Sequence, residues 1–369
     1  MVAKQHSDNT YSSCWFAACF SSDLQASNVL TKMVMEEEIV LYRTIGGSVC
    51  AVEPHCPHLG AHLGNGRVVN GEIECPFHGF RFDGSGVCTH SYPGKKPAKA
   101  KLALKRVVEK YGLIFVWAGE GEPTWELPEV DGFEEGWSSL IEFQQPFLAK
   151  QQNVLENLVD FGHLDVIHKV KDYNLDSLEI HEHEMKFTTS QRVERPELAK
   201  LVNFLSHIGV ARFFDFARNY NPSPPLFHTS LFGFSSSMTV DFRIIGVCGG
   251  IAEINTNHGL VNKYRMRQII FPSPSSGGEL TYRTAFQFKR LDGRSFNGGL
   301  GGALETLKLK MLARGAYQEI LDEMYLWESQ VYKATPILAD GDGIIGKYRG
   351  FLKKYCHRKG NITLMPVEE

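Results

Sequence analysis

Two short words separated by sixteen residues, Cys56-Pro-His58 and Cys75-Pro-Phe-His78, constrain this chain more than anything else in it. Each word offers one thiolate and one imidazole, and glycines and prolines flank both as turn formers. Two thiolates on one iron and two imidazoles on the other are a donor set that grips a [2Fe–2S] cluster. Neutral imidazoles leave the reduced cluster less negatively charged than four thiolates would. Its potential therefore rises, and it becomes a usable one-electron relay. A structural zinc ion takes the same four donors. A zinc finger, however, groups its cysteines together and its histidines together, whereas here they alternate.

The residues around these words read as short strands from Trp15 to about Trp117. Glu38–Arg43, Ser48–Val52 and Gly112–Trp117 are separated by Gly-Gly, Asn-Gly and Asp-Gly turns, which predicts a small antiparallel β domain. A connector from Gly119 to Gly136 holds two prolines and seven acidic residues, and the expected boundary is Pro128: residues 1–128, then 129–369. The second part is expected to be α+β. Leu148–Val170 has helical periodicity, strand-like runs begin at Met238, Lys263 and Leu280, and helices are predicted near 303–330 and 345–355. The Gly-rich run 298–302 lacks the flanking strand and downstream acid of a nucleotide-binding motif, and is expected to be a loop or hinge.

Composition narrows the function classes. Hydrophobic residues make up 43% and charged residues 22%, as in ordinary globular proteins. A net charge of −3 without a basic run argues against nucleic acid as a partner. No apolar run approaches the ~18–20 residues of a membrane span, and the polar N-terminus lacks the apolar core of a secretory signal. Beyond Cys56 and Cys75, the six other cysteines (14, 19, 50, 88, 248 and 356) show no disulfide-scaffold spacing. Free thiols in a reducing, cytoplasmic compartment are expected.

The segment from Glu156 to His168 holds Asn157, Asp160, His163 and His168. Residues three apart share a helix face, but residues five apart are turned about 140° from each other. His163 and His168 can thus meet one metal only if the helix breaks between them, or if His168 lies past its end; Gly162 makes a break plausible. Two histidines and a carboxylate leave open positions on a non-haem Fe(II).

These motifs resemble the Rieske non-haem iron oxygenases. His55–Gly64 and Cys75–Asp83 resemble the two lobes of a Rieske domain, and Asn157, Asp160, His163 and His168 match the family's Asn-x-x-Asp-x-x-His-x-x-x-x-His motif. Trp125–Val130, Thr335–Gly343 and Lys347–Phe351 are most similar to the branch with steroid 9α-hydroxylases, cholesterol 7-desaturases and aminopyrrolnitrin oxygenase. The resemblance implies an N-terminal all-β Rieske [2Fe–2S] domain with ligands Cys56, His58, Cys75 and His78. A helix-grip catalytic domain of antiparallel sheet plus helices would follow, around a mononuclear Fe(II) held by His163 and His168. It implies further that Asp160 bridges His78 of one subunit to His163 of the next across a homotrimer, with Asn157 in a supporting place.

The third iron ligand departs from the pattern. The family places Asp four residues before a Trp in the long C-terminal helix; counting back from Trp327 gives Glu323, with Asp322 one residue earlier and rotated about 100° away. Glu323 is therefore the expected ligand. The implied activity is that of a terminal monooxygenase that uses O₂ to hydroxylate a fairly hydrophobic organic substrate. N-oxygenation, dealkylation or desaturation could run at the same site. No flavin or nicotinamide fingerprint is present, so electrons are expected from a separate NAD(P)H-dependent reductase or ferredoxin. A Rieske electron carrier and a disabled oxygenase are the readings from other classes. The aromatic-rich stretch 202–233, with His181, His183, His207 and His228, offers candidate pocket residues. His55, His62 and His90 are expected in turns or interfaces.

Overall fold

The computed structural model describes residues 10–357 apart from 12, 120, 169, 194–237, 257–263, 295, 297 and 298. The aromatic stretch 202–233, with His207 and His228, therefore lies outside the described residues. The chain divides into two compact units. The first takes the described residues up to Leu127, with Ser273–Thr281 and those from Leu352 on; the second takes Pro128–Pro272 and Tyr282–Phe351.

The first unit is built from short antiparallel strands rich in Val, Ile and aromatic residues, which favour a pleated, half-buried surface. Leu104–Lys105, Val49–Val52, Glu37–Arg43 and Val29–Val34 make one sheet in that order; Val107–Lys110, Leu113–Ala118 and Cys14–Phe20 make another. A third sheet of Arg67–Val69, Glu72–Glu74, Arg81–Phe82 and Cys88–His90 carries the second Cys/His word between its strands. Val40, Tyr42, Val52, Leu63, Ile73 and Phe82 form a buried core that also contains Cys56 and Cys75. The seven cysteines whose side chains are described are free thiols.

The second unit is built around an antiparallel sheet. Its central strands run antiparallel in the order Glu279–Arg290, Tyr264–Ile270, Gly249–Thr256, Met238–Ile245, Glu184–Val193, Val170–Ile180. One face packs on the long helix Gly299–Ser329: Met238, Val240, Ile254, Met266, Phe286 and Phe288 meet Leu309, Leu312, Ala313, Ala316 and Tyr317. Those helix positions recur every three or four residues, the spacing that lays one apolar stripe along a helix. The helix already begins at Gly299, so Gly299, Gly301 and Gly302 are helical rather than in a loop or hinge. The hydrogen-bond ladder of a long, tertiary-packed helix overrides the weak helix propensity of glycine.

Candidate metal centres

Cys56 and Cys75 stand at the start of two loops with the same backbone wiring. Cys56 N–H donates to Ala61 O (2.9 Å) and Gly60 N–H returns to Cys56 O (2.9 Å); Cys75 N–H donates to Phe80 O (2.8 Å) and Gly79 N–H returns to Cys75 O (3.1 Å). Gly60 and Gly79 close these turns at φ +75° and +69°, where a side chain is strained. Both thiols are buried, and the His58 and His78 ring centroids lie 4.8 Å apart at 73°. Burial pushes the Cys56 thiol up to about 11, with the neighbouring Cys75 thiol adding to the rise against a hydrogen bond from the His58 backbone. A metal would therefore have to displace the proton of the Cys56 thiol. His58 Nδ1 is buried with no hydrogen-bond partner among the described residues, a costly state for a polar atom. Paired thiols, two facing imidazoles and one orphaned ring nitrogen fit the donor set of a [2Fe–2S] cluster.

The expected 148–170 helix is broken, but ahead of His163 rather than between the two histidines, and the supports of the break are specific. Helix Gln151–Glu156 is pinned by Gln151 Nε2, which donates to Val247 O (2.9 Å) and Pro272 O (2.7 Å), and by the Arg349 fork on Glu156 (2.6 and 2.8 Å). The chain then leaves the helix, and Val159 O accepts from Ile344 N–H at 3.2 Å. A second helix, Gly162–Val166, follows; Asp160 Oδ1 caps it by accepting from His163 N–H at 3.3 Å. His163 is on this helix and His168 lies past its end, so the two rings meet with centroids 5.2 Å apart at 74°.

Glu323 arrives from the long helix. Its Oε1 is 2.7 Å from His168 Nε2, and Oε2 accepts from Asn157 Nδ2 at 3.0 Å. One donor atom from each of His163, His168 and Glu323 lies within 4.8 Å of the others. Asp322, rotated off this face, is exposed and accepts from Gln318 Nε2 at 3.0 Å. Burial alone would raise the Glu323 carboxyl, but the hydrogen bond and charge of His168, with His163 and Asn157, outweigh it and hold the group below its ordinary value. Burial and the nearby His168 lower His163, which keeps its imidazole neutral. His163 Nδ1 is 2.6 Å from the Asp160 carbonyl, which can only accept. The ring proton therefore sits on Nδ1 and the lone pair on Nε2 is left for a metal. Two neutral-capable imidazoles and an anionic carboxylate fit a ferrous ion with open positions.

These three donors line a cavity of about 160 Å³ whose described walls are mostly apolar, including Val154, Leu158, Met238, Ile254 and Trp327. Sequence reasoning missed Thr189, Gln191 and Glu319, which line it too. A signal for them exists. The inward face of Glu184–Val193 reads Met185, Phe187, Thr189, Gln191, turning from apolar to polar while staying buried, and Glu319 interrupts the apolar helix stripe one turn before Glu323. The other histidines lie elsewhere: His62 Nδ1 accepts from Gly64 N–H in a turn (3.0 Å), and exposed His181 meets Glu179 at 3.3 Å.

Comparisons with known proteins match both parts of the chain to known families. A Rieske [2Fe-2S] domain family matches residues 14–111, and a 3-ketosteroid 9α-hydroxylase C-terminal domain family matches residues 116–355. Cholesterol 7-desaturase from Xenopus laevis is 37% identical over 164 residues, which span 43% of this chain but only 36% of that protein. Aminopyrrolnitrin oxygenase from Pseudomonas fluorescens is 26% identical over 355 residues, 93% of this chain and 91% of the relative. The crystal structure of dicamba monooxygenase bound to dicamba aligns with a TM-score of 0.61 over 94% of this chain and 98% of that one; at 18% identity the likeness is one of fold.

Proposed function

We propose, from the premise that this chain belongs to the Rieske oxygenases (a Rieske [2Fe-2S] domain followed by a 3-ketosteroid 9α-hydroxylase C-terminal domain), that it is a terminal oxygenase hydroxylating a fairly hydrophobic organic substrate. The observation that carries this reading is the meeting of His163, His168 and Glu323 on a mostly apolar cavity. Residues 1–128 would form the Rieske domain and 129–369 the catalytic domain. Cys56, His58, Cys75 and His78 would hold the cluster, and His163, His168 and Glu323 the iron. When bound, these groups supply single electrons and a ferrous ion able to take up O₂.

The chain's own residues do the rest. Asp160 fixes the His163 tautomer through its carbonyl, and Asn157 holds one Glu323 oxygen so that the other faces His168. The apolar walls exclude water and favour an apolar substrate. We assign to the Asp160 carboxylate, one-third exposed, the bridge from His163 to His78 of another copy in a homotrimer. We further propose a separate reductase or ferredoxin as electron source, and a cytoplasmic setting that suits the free thiols. No helix among the described residues is long and apolar enough to cross a membrane.

The test is iron content with low-temperature EPR on anaerobically reduced protein, before and after nitric oxide. Three irons per chain, a rhombic cluster signal and a new high-spin iron–nitrosyl signal are expected. Two irons and no nitrosyl signal would replace this reading with that of an electron carrier. Asp160→Ala should retain both metals yet abolish coupled turnover; unchanged turnover would remove the bridging role.

A further inference from the structure

Gln191 is an amide on the iron-site cavity whose buried carbonyl oxygen is unused among the described residues. It sits on the inward face of strand Glu184–Val193, across from Met238 on the neighbouring strand. Its side chain is buried, with 5% of the residue exposed, and it lines the same cavity as His163, His168 and Glu323. Its Nε2 donates to Thr189 Oγ1 at 3.3 Å, which leaves Oε1 as the free end of the amide. That oxygen is buried and has no hydrogen-bond partner among the described residues. Gln268, the other glutamine on this cavity, likewise donates its Nε2 to a threonine (Thr284 Oγ1, 3.4 Å) but leaves no buried side-chain atom unpaired among the described residues.

A leucine or methionine would fill the position of Gln191 at no polar cost, because Met185 and Phe187 already occupy the same face of this strand. A buried acceptor left unpaired costs roughly 1–3 kcal/mol. A mostly apolar cavity wall that carries such an acceptor among a few polar groups is the arrangement that orients a ligand.

We propose that Gln191 is a substrate-positioning residue whose Oε1 accepts a hydrogen bond from an O–H or N–H group on an otherwise apolar substrate. The substrate class is thereby an alcohol, phenol or amine on a hydrocarbon framework rather than a bare hydrocarbon or an ether. This inference rests on the oxygenase reading for its meaning, since the hydrogen bond would decide which atom faces the metal position. The binding preference itself does not depend on turnover.

The experiment uses purified, iron-loaded full-length protein and isothermal titration calorimetry. The probes are three matched pairs differing only in the donor: 2-naphthol with 2-methoxynaphthalene, 4-phenylphenol with 4-methoxybiphenyl, and cholesterol with its 3-methyl ether in detergent. The natural protein should bind at least one donor member about tenfold more tightly than its ether. Gln191→Leu, close in size and apolar, should reduce that ratio to near one by weakening the donor compound and not the ether. Thr189→Val, which removes the tether on Nε2, should narrow the ratio in the same direction. A ratio that Gln191→Leu leaves unchanged overturns the proposal, and so does failure of every donor compound to bind while the iron site is loaded. If Gln191→Leu fails to fold, the ratio in Gln191→Ala decides in the same way. The two readings fail separately: a Gln191-dependent ratio in protein with two irons per chain would defeat the oxygenase reading alone, and three irons with a Gln191-independent ratio would defeat this one alone.

Discussion

At the scale of single residues, the chemistry concentrates in Glu323. A carboxylate with 6% exposure inside an apolar helix stripe costs several kcal/mol unless a cation or strong donors face it. His168 and Asn157 supply those donors, at 2.7 and 3.0 Å. The next residue toward the N-terminus, Asp322, keeps its charge in solvent. The expectation is therefore sharp: Glu323→Gln should cut mononuclear iron retention by more than about 100-fold, beyond the loss typical of a merely supporting residue. Asp322→Asn should leave it within error. Metal analysis together with the iron–nitrosyl EPR signal reads both. Loss of iron from the Asp322 variant instead would move the ligand by one position along the helix.

At the scale of elements, the end of helix Gly162–Val166 ahead of His168 lets His163 and His168 meet, and the break after helix Gln151–Glu156 sets where that short helix begins. Its shape is imposed from the far end of the chain. Gly343, at φ +70°, packs so closely that a Cβ would lie 2.6 Å from Val159 O and 2.8 Å from the Phe161 ring. Gly343→Ala should destabilise the protein by about 2 kcal/mol, through left-handed strain plus this clash, and should lower iron content without touching a donor atom. Gly346→Ala is the control. It lies in helix Ile345–Leu352 with Leu338 no nearer than 3.7 Å to a new Cβ, and should stabilise by up to about 1 kcal/mol. In the first unit, Glu109 of strand Val107–Lys110 grips Arg43 of strand Glu37–Arg43 at 2.7 and 2.8 Å. The Arg43 hydrogen bonds lower the Glu109 carboxyl against a smaller rise from burial. The pair's contribution is thus present above the unfolded carboxyl value, about 4.3, and is lost as pH falls through the lower folded value. Because Glu109 is 36% exposed, that contribution is about 0.5–1 kcal/mol. Glu109→Gln should melt lower than the parent at pH 7, and the gap should close near pH 3. A gap that stays constant with pH would assign the loss to packing.

At the scale of the whole molecule, each unit buries its own core, and each proposed metal sits within one unit. Stripping the cluster from reduced protein with a chelator should lower the melting of the first unit by a few kcal/mol of lost binding linkage, and should reduce the second unit's transition far less. Calorimetry before and after chelation reads both; a single transition shifted as a whole would show that the units unfold together. Much of this organisation was legible in the sequence. The Cys/His words, the Gly and Pro turns and the periodicity of the long helix are local patterns, and local patterns follow from backbone sterics and from which face must be buried. The alternative that His168 lies past the helix end was legible too, because residues five apart cannot share one helix face. What lay beyond the sequence is long-range. Only the fold seats Gly343 under Val159, brings Glu323 to a residue 155 positions earlier (323 − 168), and turns Gly299, Gly301 and Gly302 into helix. The same holds for Gln191, which reads as one more polar residue on a strand until the sheet and helix close an apolar cavity around it. Local propensity is set by a residue and its neighbours, whereas burial, donor convergence and the cost of an unpaired polar atom exist only after distant segments have packed.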